Sequence, residues 1–142
     1  MKSEIYNTYI EILESELKPA MGCTEPIAIA LASAKCREIL GKLPQKITAT
    51  CSGNIIKNVK AVLVPNSNGQ KGVEAAAVLG AVAGDSSLGL EVISKASKED
   101  AELTKKLVND GICNIKLKEG VDNLYIEIEQ IADNDRAVVE VI

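Results

Sequence analysis

The chain contains no histidine, no tryptophan and no phenylalanine, and three tyrosines are its only aromatic residues. Without histidine it lacks the commonest general base and the usual partner of a catalytic serine or cysteine. The nitrogen ligand that completes many structural zinc sites is missing too, and no C-x-x-C spacing replaces it. Basic residues are not gathered: the 16 lysines and arginines are scattered among 20 acids, for a net charge of -4. That pattern lacks the basic stripe of a nucleic-acid binder. Long apolar runs are absent as well. The opening segment "MKSEIYNTYIEILESELK" carries acids throughout its apolar stretch, unlike a signal peptide, and nothing approaches the roughly 18 apolar residues of a membrane span. The expectation is a cytoplasmic protein with neither nucleic-acid nor membrane partners.

The chain does have apolar material. At 142 residues and 46% hydrophobic content it can bury a single core, so residues 1–142 read as one domain. Apolar residues recur at helical spacing over residues 4–17 (Ile5, Tyr9, Ile12, Leu13, Leu17), with Pro19 closing the segment. A second helix is predicted over 25–40, with Pro26 in its first turn and Gly41 after its end. "KITATCS" alternates like a strand. The alanine- and glycine-rich stretch 72–84 suits a helix that approaches a neighbour closely, or an assembly surface. Ser97, with Glu99 and Asp100 in the first turn after it, opens a surface helix ending at Gly111. Finally "NIKLK", "NLYIEIEQI" and "RAVVEVI" alternate apolar with polar residues and read as a three-stranded antiparallel meander with one wet face. The predicted class is α+β, with N-terminal helices packed on a mostly antiparallel sheet.

Two stretches can carry chemistry. In "KPAMGCTEP", Thr24 stands where a helix cap belongs, with Glu25 and Pro26 in the turn that follows and Cys23 just ahead. Unpaired backbone N–H groups and the positive helix end favour a thiolate there, and such positions lower a cysteine pKa from about 8.5 to between roughly 3.5 and 7.5. An ionised Glu25 nearby would oppose that shift. The structural alternative is that Gly22 and Pro26 shape a helix–helix turn that Cys23 merely fills. Of the other cysteines, Cys36 falls in an apolar helix and Cys113 heads a strand, and both read as small buried hydrophobes. In the second stretch, "CSGNIIKNVKAVLVPNSNG", Ser52, Asn54, Lys57 and Asn58 offer hydroxyl, amide and ammonium donors suited to a carboxylate. The alternative is a strand exit made of turn residues. No G-x-x-x-x-G-K-[ST] pattern supports a nucleotide.

Together, "ELKPAMGCTEPIAIALASAKCREILG", "CSGNIIKNVKAVLVPNSNGQKG" and "AAVLGAVAGDSSLGLEVI" resemble successive blocks of the L-cysteine desulfidase family, itself related to the alpha chain of iron–sulfur L-serine dehydratase. The resemblance runs from about Glu16 to the end of the chain. It implies the N-terminal portion of a longer or split enzyme that eliminates hydrogen sulfide from L-cysteine, or water from L-serine, to give pyruvate and ammonia without pyridoxal phosphate. It implies Cys23 as the base that removes the α-proton and a [4Fe-4S] cluster that polarises the leaving group, its ligands lying outside this chain. No metal ligand is assigned here, and Cys36, Cys51 and Cys113 match none of the family's cluster cysteines. Ser52, Asn54, Lys57 and Asn58 are then the expected carboxylate holders, and Gly22, Thr24, Glu25 and Pro26 shape the turn. The implied partners are a small amino acid and a C-terminal cluster-binding domain or subunit; separately, the alanine- and glycine-rich stretch 72–84, if it is an assembly surface, predicts a homodimer or a partner subunit. The competing expectation is a non-catalytic module that binds an amino acid for regulation or assembly.

Overall fold

The computed structural model describes residues 5–10, 24–120 and 125–141. In chain order the elements are β1 (Ile5–Ile10), α1 (Thr24–Leu40), β2 (Lys46–Ser52), α2 (Gly53–Val59), α3 (Gly72–Ala83), a short 3-10 segment (Ser86–Glu91), α4 (Lys98–Asn109), β3 (Cys113–Lys118), β4 (Ile126–Ala132) and β5 (Asp135–Val141). The fold is α+β. Its five-stranded sheet has the order β1-β5-β4-β2-β3.

Alternation decides which side of the sheet is covered. Ile47, Ala49 and Cys51 of β2, Ile126, Ile128, Gln130 and Ala132 of β4, and Ala137, Val139 and Val141 of β5 are buried. The residues between them are mostly half-buried or exposed. With a side-chain period of two, the buried set lines one face, and α1 packs on that face over β4 and β5 while α3 reaches β2 and β3. Helix α4 packs against α3 as an outer layer, its capping box formed by Ser97 and Asp100 as its sequence predicts.

Helices α1 and α3 meet at backbone contact. A Cβ added at Gly80 would lie 2.3 Å from the Ala30 carbonyl oxygen, and one added at Gly84 would lie 2.5 Å from the Ala34 Cβ. Only glycine lets the two backbones approach this far. At the same crossing the buried Ser33 hydroxyl donates to the Ala77 carbonyl at 2.5 Å. Gln130 of β4 in turn donates from Nε2 to both the Ser33 carbonyl and its Oγ, each at 2.9 Å. One serine therefore ties two helices to the sheet beneath them. Among the described residues Gln130 Oε1 is the buried side-chain oxygen left without a hydrogen-bond partner.

Three expectations change. The helical period over residues 4–17 gives way to a strand at Ile5–Ile10, paired parallel to β5 from Ile5↔Arg136 to Ile10↔Val141. The run "IYNTYI" is dense in β-branched and aromatic residues, which favour a pleated strand over a helix; residues 11–17 and Pro19 lie outside the described residues. The C-terminal strands follow one another in the chain as expected, and β4 and β5 form an antiparallel hairpin. However, β2 inserts between β4 and β3, antiparallel to the first and parallel to the second, so the sheet is mixed. Strand β3 is an edge whose side chains beyond Cys113 are half-buried or exposed, and α4 precedes it as a crossover. Finally, of the two expectations for the alanine-rich helix α3, close approach to a neighbour holds and an assembly surface does not: Gly72, Val73, Ala75, Ala76, Ala77, Val78, Leu79, Gly80 and Ala81 are buried within the chain, against α1.

The glycines give a direct stability test. Gly80→Ala forces a methyl group into backbone atoms and should cost about 3 kcal/mol, at the upper end of overpacking changes. Gly53→Ala, whose Cβ would meet Leu117 Cδ1 at an ordinary 3.7 Å, should cost no more than about 0.5 kcal/mol. Urea midpoints check both, and equal midpoints for the two variants would contradict the packing described.

Candidate functional site

Helix α1 fixes one reference point. Lys42, just beyond its C-terminal end, bonds Asp135 at 2.8 Å and Asp133 at 3.4 Å, at the tight turn between β4 and β5. Both carboxylates hold the Lys42 ammonium above its usual range, the Asp135 hydrogen bond most of all. That turn pairs with the start of β2, since Lys46 stands opposite Ile131. A helix of 17 residues is about 25 Å long at 1.5 Å per residue, close to the span of a seven-residue strand. Its N-terminal end therefore lies toward the opposite end of the sheet, where β2 hands over to α2, and α1 touches α2. The start of α1 and the β2–α2 junction thus lie toward the same end of the sheet.

At that end β2 runs into α2 with no intervening loop. Ser52 ends the strand in extended conformation (φ -62°, ψ 157°) and is buried, and its side chain does not cap the helix. Its N–H donates to the Tyr125 carbonyl at 3.0 Å, which ties the junction to the start of β4. Asn54, Lys57 and Asn58 lie three and four positions apart on α2 and are exposed, while Ile55 and Val59 point into the core. Three of the four predicted carboxylate holders therefore share one wet helix face, and Ser52 sits beneath them in the junction.

Of the motif before α1, Thr24 is the first residue of the helix rather than a residue ahead of it, and Glu25 and Pro26 occupy its first turn, Pro26 buried and Glu25 half-buried. Proline at that position lacks only an N–H that the first turn leaves unpaired anyway. Gly22 and Cys23 lie outside the described residues.

The other three cysteines are buried thiols. The Cys36 thiol donates to the Ala137 carbonyl at 3.2 Å. Burial pushes the thiols of Cys36, Cys51 and Cys113 up to about 12. Such groups are poor nucleophiles and poor metal ligands at neutral pH, because both roles need the thiolate. Among the described residues no three histidine, cysteine, aspartate or glutamate side chains are grouped to hold a metal ion. The cysteines described here do not fit a [4Fe-4S] cluster.

One constellation escapes a reading of the sequence. On the sheet face away from α1 and α3, Glu127 and Glu140 stand directly opposite each other across β4 and β5, and the Tyr125 hydroxyl lies 3.0 Å from a Glu127 oxygen and 2.5 Å from a Glu140 oxygen. Partial burial first, then the two carboxylates, raise the pKa of the phenol. The alternation in "NLYIEIEQI" puts the acids on the wet face, but only the register brings Glu140 opposite Glu127.

No helix among the described residues is long and apolar enough to cross a membrane. No family model and no solved structure matches the chain. Its curated relatives include a UPF0597 protein of Finegoldia magna, 61% identical over 128 residues, which make up 90% of this chain and 30% of the relative. Others are UPF0597 proteins of Lachnoclostridium phytofermentans, 46% identical over 97% of this chain and 33% of the relative, and of Treponema denticola, 42% identical over 96% and 32%. The chain is thus similar to UPF0597 proteins along nearly all of its own length, while spanning about a third of theirs.

Proposed function

We propose that the chain is the N-terminal portion of an iron–sulfur-dependent lyase that eliminates hydrogen sulfide from L-cysteine, or water from L-serine, yielding pyruvate and ammonia. The observation that supports this reading is that α1, which begins at the threonine of G-C-T-E-P, starts toward the end of the sheet where S-G-N-x-x-K-N turns from strand to helix. A small amino acid seated there would meet Lys57 and the amides of Asn54 and Asn58 through its carboxylate. Cys23, next to the start of a 17-residue helix, is the thiol best placed to act as a thiolate, and it removes the α-proton. The aminoacrylate that leaves is hydrolysed to pyruvate and ammonia. The cluster and the leaving-group side of the reaction belong to the further two thirds carried by the relatives, and this chain alone is inactive.

The thiols respond differently to alkylation. At pH 7 a thiol with a pKa of about 12 is ionised in only about one molecule in a hundred thousand. Iodoacetamide should therefore modify Cys23 first and leave Cys36, Cys51 and Cys113 intact until the protein unfolds, as peptide mass mapping would show. A protected Cys23 would remove the base from the proposal.

Turnover gives the second test. In the full-length protein Cys23→Ser should change stability by no more than about 1 kcal/mol yet lower kcat by roughly a hundredfold to ten-thousandfold, the usual loss on removing a general base. Lys57→Ala should raise KM with a smaller effect on kcat, since it binds ground and transition states alike. If Cys23→Ser lowers the melting temperature and activity falls only in step with folded protein, Cys23 is a packing residue. Binding of an amino acid without turnover would instead identify a regulatory module.

A further inference from the structure

Between α2 and α3 the stretch "VPNSNG" forms a clasp. The buried Ser67 hydroxyl accepts from the Gln70 N–H at 2.9 Å and donates to the Val64 carbonyl at 2.7 Å. Gln70 answers from its side chain, Nε2 donating to the Ser67 carbonyl at 2.8 Å and to the Ala101 carbonyl of α4 at 2.9 Å. Asn66 donates to the Ile93 carbonyl at 2.9 Å. The loop is thereby pinned to α4 and to the segment before it, on both sides of a residue that is not pinned. Asn68 is exposed, and its side chain has no hydrogen-bond partner among the described residues.

Of the chain's asparagines only Asn68 precedes a glycine. Gly69 has no Cβ to shield its nitrogen, a Cβ built there would meet nothing within 4 Å, and its N–H donates to no backbone carbonyl among the described residues. Such a nitrogen can attack the side-chain amide before it. The bond from Gly69 N to Asn68 Cγ forms, the Gly69 proton is lost, the Cγ–Nδ2 bond breaks and ammonia leaves, which gives a succinimide. Water then opens the ring at either carbonyl, to an aspartyl or an isoaspartyl residue. The backbone opposes this step. Asn68 has φ 59°, in the left-handed region that asparagine tolerates. At the ψ of that region, about +47°, the Gly69 nitrogen lies on the side of Cα away from the Asn68 Cβ. The ring closes only after Asn68 rotates out, and the clasp resists that rotation by holding the residues on either side.

We propose that Asn68 is a site of spontaneous deamidation whose rate is set by local opening of the Ser67–Gln70 clasp. The isoaspartyl product carries an extra methylene in the main chain between Ser67 and Gln70, so the clasp does not reclose over it. The proposal does not rest on the lyase reading, since the reaction needs only water.

The test holds the full-length protein at mildly alkaline pH beside a synthetic peptide of residues 61–71, the tryptic fragment that carries the site. Peptide mass mapping follows conversion of amide to carboxylate at each asparagine. In the folded protein Asn68 should convert ahead of Asn54, Asn58, Asn66, Asn109, Asn114 and Asn134. It should do so at least about tenfold more slowly than in the peptide, the factor set by breaking a single hydrogen bond first. Ser67→Ala removes the centre of the clasp and should bring the rate to within about threefold of the peptide's. Gln70→Ala leaves Ser67 in place and should do the same; it is read instead if Ser67→Ala does not fold. Ile128→Val trims the core and lowers global stability without touching the clasp, so it should leave the rate unchanged. Equal rates in the native protein and the peptide would show that the clasp gates nothing. A rate unmoved by the clasp variants, or raised as much by Ile128→Val, would assign the opening to global unfolding. An Asn68 still intact in the clasp variants when the peptide is fully converted would show an unreactive site. Each of these results overturns the proposal.

Discussion

The approach of α1 to α3 over Gly80 and Gly84 is the constraint that positions everything else in the fold. Because a single Cβ at either position would collide with α1, the two helices share one layer at backbone contact, and Ser33 reaches the Ala77 carbonyl while accepting from Gln130 of the sheet. Move α1 outward by the width of a methyl group and those buried hydrogen bonds are lost together. Buried polar groups left unpaired cost about 1–3 kcal/mol each, so the crossing fixes where α1 lies on the sheet. With α1 fixed, its start and the β2–α2 junction are brought toward the same end.

Much of this was legible in the residues. The extent of α1 and β2, the cap of α4 at Ser97 and the wet and dry faces of β4 follow from local signals: proline in a first turn, a serine cap with an acid three positions on, and alternation with a period of two. What local signals could not supply was pairing. Strand β3 sits beside β2 rather than beside β4, and no residue within "NIKLK" announces its neighbour. The stretch "IYNTYI" fits a helical period as well as a strand, and its parallel partner β5 lies at the far end of the chain. The Tyr125, Glu127 and Glu140 cluster was hidden for the same reason, since it exists only once β4 and β5 are in register.

The site was legible in its parts but not in its arrangement. That Asn54, Lys57 and Asn58 share a face follows from their spacing once the segment is helical; that this face stands toward the end where α1 begins does not. The cysteines sort by burial. Cys36, Cys51 and Cys113 are locked in the core with their pKa values pushed up, which leaves Cys23 to carry any thiolate chemistry in the proposed reaction. In the proposed reaction this chain would hold and deprotonate the substrate, and the longer protein would bring the metal.

Whether the two motif blocks converge can be read from a pair of spin-label distances. With Cys23→Ser as background, one label at Lys57 is combined with a second at Glu25, at the start of α1, or at Asp133, in the β4–β5 turn. The Lys57 to Glu25 distance should be clearly shorter than the Lys57 to Asp133 distance, because α1 begins where β2 ends. A Lys57 to Glu25 distance equal to or longer than the other would place the start of α1 at the wrong end of the sheet, and the two blocks could not then form one site.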